Sequence, residues 1–114
     1  MTDFEKLTML FKEAEKDPHS YVEPVYSLLK KMYLEGSLTL YMADYRFLDF
    51  DQEVSNEYQF TYNAYLKCRN SDRVYYLGVC IRGVPAFKIY DTLPDIDAFK
   101  EQTLKNRRAF YSEI

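Results

Sequence analysis

The sequence predicts a single α+β domain over residues 1–114, in which an N-terminal helical hairpin precedes a four-stranded antiparallel meander and a C-terminal helix (ααββββα). Three observations favour this order. Helix-capping signals and helical apolar spacing fill the first segment, apolar and polar residues alternate over Tyr58–Arg69, and helical spacing returns after Thr92. With 47% hydrophobic and 29% charged residues, the composition is that of a globular domain with its own core.

The first helix is predicted to begin at Thr2. Thr2 and Glu5 have the spacing of a capping box, in which each side chain bonds the backbone N–H of the other residue. Asp17-Pro18 should end the helix, because the residue before proline is pushed out of the α region. The apolar face then consists of Phe4, Leu7, Leu10, Phe11 and Ala14.

The second helix is predicted to open at Ser20, which with Glu23 repeats the capping-box spacing. Gly36 should end it, because glycine readily adopts the left-handed conformation of a helix C-terminal cap. Its apolar stripe consists of Val22, Val25, Leu28, Leu29 and Met32.

Leu38–Phe50 alternates in two phases, which predicts either a strand with both faces partly covered or a strand with a bulge, and leaves a helix as the alternative. The polar run 51–57 is predicted to be a loop. The strand Tyr58–Arg69 that follows should be central, with every second residue facing the core. These inward positions are Tyr58, Phe60, Tyr62, Ala64, Leu66 and Cys68.

The registers of the two hairpins are predicted from the requirement that apolar residues of the buried face lie opposite one another on neighbouring strands. A two-residue turn at Ser71-Asp72 places Leu66 opposite Leu77. A three-residue loop at 82–84, with Gly83 left-handed, places Phe87 opposite Val79. In this register Cys68 points to the core and Cys80 to the opposite face, which rules out a disulfide between them.

The last helix should be capped by Thr92 or Asp95 and run towards Tyr111. We expect the helices to lie against one face of the sheet. The inner side of this last helix is predicted to carry Ile96, Phe99, Thr103, Leu104 and Phe110.

Charge is unevenly distributed along the chain. The formal net charge is −3, but residues 36–57 carry one basic and five acidic groups, while 58–90 carry five basic groups and Asp72 alone. An acidic chain lacks the broad basic footprint of a duplex-DNA binder. The start of the chain has no signal-peptide pattern and no apolar run is long enough for a bilayer, so we expect a cytoplasmic protein that does not bind a membrane.

No constellation for catalysis stands out, and we expect a non-enzyme without cofactor or metal. His19 is the only histidine, and the three glycines are isolated. An EF-hand loop begun at Asp49 would need glycine at its sixth position and glutamate at its twelfth, but has Val54 and Phe60.

The function predicted from these features is a protein-binding module, acting as a small stoichiometric regulator or inhibitor. Its twelve tyrosines suit either the faces of a sheet, which is the commoner use, or a contact surface, and its acids could meet a basic patch on another protein. Because acids imitate phosphates, the partner could be a protein that handles nucleic acid. The expected contact residues are Asp44, Asp49, Asp51, Glu53 and Glu57.

Three alternatives remain open. The second sheet face could stack the bases of single-stranded nucleic acid, although we expect the last helix or the helical hairpin to cover it in part. A pocket with tyrosine hydroxyls could bind a small ligand, and an exposed sheet edge could allow self-association. The residues of the nucleic-acid face would be Tyr65, Lys67, Tyr76, Lys88 and Tyr90.

Overall fold

The computed structural model describes residues 1–114 and has nine helical or strand elements. They are α1 (Asp3–Ala14), α2 (Pro18–Leu34), β1 (Leu38–Ala43), a 3-10 helix (Phe47–Asp49), α3 (Phe50–Ser55), β2 (Thr61–Cys68), β3 (Val74–Cys80), β4 (Ala86–Tyr90) and α4 (Ile96–Lys105). The strands form one antiparallel sheet in the order β1-β2-β3-β4. This confirms the predicted ααββββα architecture. None of the helices combines the length and apolarity that a bilayer crossing requires.

The two N-terminal helices start by different devices. In α1 the predicted capping box is present, with the Glu5 amide donating to Thr2 Oγ1 over 3.1 Å and the Thr2 amide donating to Glu5 Oε1 over 3.1 Å. Helix α2 begins earlier than the predicted cap at Ser20, with Asp17 as N-cap and Pro18 as first residue. Proline fits there because its missing N–H would have had no partner within the helix.

Helix α2 ends at the predicted glycine. Gly36 has a φ of 86°, its amide donates to the Tyr33 carbonyl over 3.1 Å, and the Ser37 amide donates to the Met32 carbonyl over 2.9 Å. These two bonds satisfy carbonyls that the helix end would leave without partners. The cap turns the chain directly into β1.

Helices α1 and α2 pack on one face of the sheet and form the core. The alternation predicted for the central strand holds from Tyr62 onward, where Tyr62, Ala64 and Leu66 are fully buried. It fails before that point, because β2 begins only at Thr61. Tyr58 and Phe60 were predicted to face inward but are 73% and 58% exposed.

The region from β1 to β2 is more structured than predicted. The expected bulge occurs between Leu40 and Met42, but the strand ends at Ala43 rather than near Phe50. The polar run predicted as a loop instead begins with helix α3. Phe50 explains this, because its buried ring stacks on Tyr26 at 4.3 Å and fixes the helix to the core.

Both hairpins differ from the predicted registers by two residues. Ala64, not Leu66, lies opposite Leu77, and Phe87 lies opposite Leu77 rather than Val79. The turns are longer than predicted, yet a shift of two residues leaves every side chain on its predicted face.

Two turn details also differ from prediction. Gly83 does not have a positive φ. A Cβ at this position would lie 2.7 Å from Cys80 Sγ, so a larger residue would require the Cys80 side chain to move. Both cysteines are free, and Cys68 is partly exposed rather than buried in the core.

Helix α4 lies on the opposite face of the sheet from α1 and α2. Its Phe99 ring packs edge-on against Tyr65 with centroids 5.3 Å apart. The prediction of helices on one face only is therefore wrong. Asp95 is the N-cap, with its carboxylate accepting from the Ala98 amide over 3.1 Å, but the helix ends at Lys105 and Leu104 is 54% exposed.

The chain after α4 returns to the outer edge of β1. The amides of Ala43 and Tyr111 each donate to the other residue's carbonyl over 2.9 Å, and the Glu113 amide donates to the Leu40 carbonyl over 2.9 Å. This C-terminal segment covers one edge of the sheet. Strand β4 forms the other edge.

Candidate functional site

Asp44 does not belong to an accessible surface. It follows β1 and is 2% exposed. Its carboxylate accepts from the Asn63 amide over 2.8 Å, from Asn63 Nδ2 over 2.9 Å and from Arg108 Nη1 over 3.3 Å. The prediction that Asp44 contacts a partner is wrong, because the segment after α4 covers it and supplies its cation.

The other four predicted acids lie close together in the chain, on the 3-10 helix, α3 and the turn that follows. Asp49, Asp51 and Glu57 are exposed and Glu53 is partly exposed. No basic side chain forms a salt bridge with any of them, and residues 47–60 contain no lysine or arginine. Arg46, just before this segment, interacts with Asp49 and Glu53 without forming a salt bridge, so the negative charge of the group is only partly offset within the protein.

Glu23 on α2 adds a fifth carboxylate next to this group. Burial raises the pKa of Glu23, and repulsion from the nearby Asp51 carboxylate raises it further. Sequence reasoning assigned Glu23 to a capping box and missed this role. Nothing in the spacing of the two residues indicates that α2 and α3 would bring them together.

Two exposed aromatic rings continue the same surface. The Tyr62 hydroxyl donates to the Glu53 carbonyl over 2.8 Å and accepts from the Gln59 amide over 2.9 Å, so it ties α3 to the segment before β2. Tyr58 and Phe60 lie on that segment. We call Asp49, Asp51, Glu53, Glu57, Tyr58 and Phe60 together the acidic–aromatic surface.

A shallow depression lies at the aromatic end of this surface. Glu57, Tyr58, Gln59 and Phe60 line it together with Ile81 and Arg82 at the end of β3, and its volume is about 400 Å³. The Ile81 amide donates to the Phe60 carbonyl over 3.0 Å, which holds the two segments side by side. The aromatic rings therefore stand on a fixed backbone rather than on a free loop.

The aromatic residues predicted to form a nucleic-acid face do come together, but they pack on one another. The Tyr65 ring lies 4.6 Å from that of Tyr76 and 6.2 Å from that of Tyr90, and Phe99 covers it from α4. Burial raises the pKa of Tyr65 to about 12, with smaller contributions from Tyr90 and Asp44.

The polar groups of this face are also engaged. The Tyr76 hydroxyl donates to Asn63 Oδ1 over 2.5 Å, and Lys67 Nζ donates to the Cys68 carbonyl over 3.0 Å. Of the five residues predicted for this face, Lys88 alone is exposed. Helix α4 thus leaves little open ring surface for a stacked base.

No three His, Cys, Asp or Glu side chains converge where they could hold a metal ion. His19 is exposed in the first turn of α2. In comparisons with known proteins, no family model matches the chain, and no curated protein or solved structure shows significant similarity to it.

Proposed function

We propose that this protein is a non-enzymatic binding module that attaches to a basic patch on another protein through the acidic–aromatic surface. In this role it acts as a stoichiometric regulator or inhibitor. The observation that carries the proposal is that four carboxylates, none in a salt bridge, and two exposed aromatic rings all lie within residues 49–60.

The charges favour a basic partner for a physical reason. Neighbouring carboxylates without cations repel one another, and a partner that brings lysine or arginine relieves this repulsion on contact. Such a surface also attracts its partner over about 10 Å at moderate salt, which raises the association rate. Binding should therefore weaken as the salt concentration rises.

The aromatic rings supply the apolar part of the contact. Tyr58 and Phe60 each keep more than half of their surface in water. Burying a ring of this size against a partner contributes roughly 1.5–3 kcal/mol. Because the Tyr62 hydroxyl and the β2–β3 pairing already hold the backbone, little ordering cost accompanies binding.

The test is a comparison of binding by three forms of the protein. The first is the wild type, the second carries Glu53→Lys and Glu57→Lys, and the third carries the control changes Glu15→Lys and Glu101→Lys. Both variants change the net charge equally, and the control positions are exposed on α4 and beside the end of α1. Each form is used as bait in a pull-down. Any partner that is captured is then purified and titrated with each form by calorimetry.

We expect saturable 1:1 binding that the control retains and that the Glu53→Lys, Glu57→Lys variant loses by at least about tenfold. Equal affinity of all three forms for every purified partner would refute the proposal. In a separate titration, a fluorescent single-stranded oligonucleotide tests the nucleic-acid alternative. Saturable binding that a Tyr65→Ala, Tyr76→Ala variant loses would favour the nucleic-acid alternative instead.

A further inference from the structure

A cavity of about 450 Å³ lies where α2, β1, the 3-10 helix and the C-terminal segment meet. Four separate parts of the chain build it, and its volume is in the range of small-molecule sites. The Tyr33 and Phe47 rings meet edge-on with centroids 5.8 Å apart. The apolar lining consists of Tyr33, Leu40, Phe47, Leu48 and Tyr111.

Glu113 fixes one wall of this cavity. Its Oε1 accepts from the Leu40 amide over 2.9 Å, and its Oε2 accepts from the Tyr33 hydroxyl. The bond to this carboxylate, together with burial, raises the pKa of Tyr33 to about 12. Each carboxylate oxygen of Glu113 thus accepts one hydrogen bond from the chain, which fixes this side chain against the wall.

Arg46 is the one cationic side chain that lines the cavity. It is exposed and forms no salt bridge. Interaction with the Tyr111 side chain, and then with Asp49, raises the pKa of Arg46. Asp49 follows within one turn, its amide donating to the Arg46 carbonyl over 2.9 Å.

We propose that this cavity binds a small organic carboxylate with an apolar ring or branched chain. The apolar part lies against Tyr33, Phe47 and Leu48, and the carboxylate meets the Arg46 guanidinium. A planar guanidinium forms two parallel hydrogen bonds to a carboxylate, which distinguishes this group from a neutral alcohol of the same shape. The site goes beyond the proposed protein binding and shares only Asp49 with it.

The experiment compares two probes that have the same ring. One is 1-naphthoate, which is anionic, and the other is 1-naphthalenemethanol, which is neutral. Both are titrated into the wild type and into the variants Arg46→Gln, Asp49→Asn, Leu48→Ala and Arg82→Gln, with folding checked by circular dichroism. Arg82→Gln is the matched control, because Arg82 lies at the other depression.

The wild type should bind 1-naphthoate saturably and roughly tenfold more tightly than the alcohol. Arg46→Gln should abolish this preference, and Leu48→Ala should weaken both probes. Asp49→Asn should tighten 1-naphthoate by about two- to fivefold, because it removes a nearby negative charge. Equal binding of the two probes to the wild type, no saturable binding, or an unchanged preference in folded Arg46→Gln would each overturn the proposal.

Discussion

Arg108, which follows α4, pairs with Asp44 at the end of β1, with Nη1 3.3 Å from Oδ2. The same nitrogen donates to the Thr61 hydroxyl over 2.9 Å. The Asp44 side chain is 3% exposed and the Arg108 side chain 23%. This contact joins the C-terminal segment to the sheet, in surroundings where a lone charge is costly.

Replacing Arg108 by glutamine should lower the free energy of unfolding by about 2 kcal/mol, because the buried Asp44 side chain would lose its cationic partner. The partial exposure of Arg108 holds the loss below that of a fully buried pair. Urea unfolding measures the change. The control is Arg107→Gln at the neighbouring exposed position, and equal stability of the two variants would contradict the prediction.

Gly36→Ala should destabilise the protein by about 1–2 kcal/mol through backbone conformation alone. The φ of 86° disfavours a side chain, while the nearest atom to an added Cβ, Arg69 Nη2, is 3.8 Å away. Gly36→Asn should cost less, since asparagine tolerates this conformation. Thermal and urea unfolding compare the stabilities of the two variants. An asparagine variant that is less stable than the alanine variant would contradict the prediction.

Gly78→Ala should cost about 1–3 kcal/mol because of Tyr76. An added Cβ would overlap the Tyr76 hydroxyl oxygen, which is held by its hydrogen bond to Asn63. In a Tyr76→Ala background the same change should cost less than about 0.5 kcal/mol, so the two effects are not additive. A double-mutant cycle by urea unfolding tests this coupling, and additive losses would rule it out.

Alkaline pH should destabilise the protein partly through Tyr65. Its pKa is raised to about 12 in the folded state, from an ordinary value near 10, so the folded state holds the proton more tightly. This contribution is fully present below pH 10 and is lost as the pH rises from 10 to about 12.

The measurement is the free energy of unfolding at several pH values between 9 and 12. A Tyr65→Phe variant should lose less stability than the wild type across this window. Tyr58→Phe is the control, because that ring is 73% exposed, and it should follow the wild type. Identical slopes for all three proteins would show that Tyr65 does not contribute.

Local signals in the sequence were sufficient for the start of α1, the end of α2 and the faces of β2, β3 and β4. The Thr2 capping box and the Gly36 cap depend on residues within one or two turns, so spacing identifies them. The alternation of inward and outward side chains along β2 also depends only on neighbouring residues of the strand. The predicted registers were wrong by two residues, because the alternation of inward and outward residues does not specify the length of a turn. The predicted faces are nevertheless correct, because a shift of two residues keeps each side chain on the same side of the sheet.

Tertiary contacts determined the candidate sites. The sequence analysis grouped Asp44 with the other acids because of its charge. In the fold, Arg108, which is 64 residues away in the chain, pairs with Asp44, and Asp44 is not at the surface. Phe50 converts a polar run into α3 by stacking on Tyr26. In the same way, Phe99 on α4 covers Tyr65, which the sequence pattern alone leaves open.

By itself the sequence determined the order ααββββα, the caps at Thr2 and Gly36 and the inward or outward direction of each strand residue from Thr61 onward, because these follow from interactions between near neighbours. Only the tertiary structure decided which acids remain without a cation, which tyrosines lie under a helix and where a cavity forms. Those properties arise where segments distant in the chain meet, and residue spacing along one segment carries no information about what packs against it.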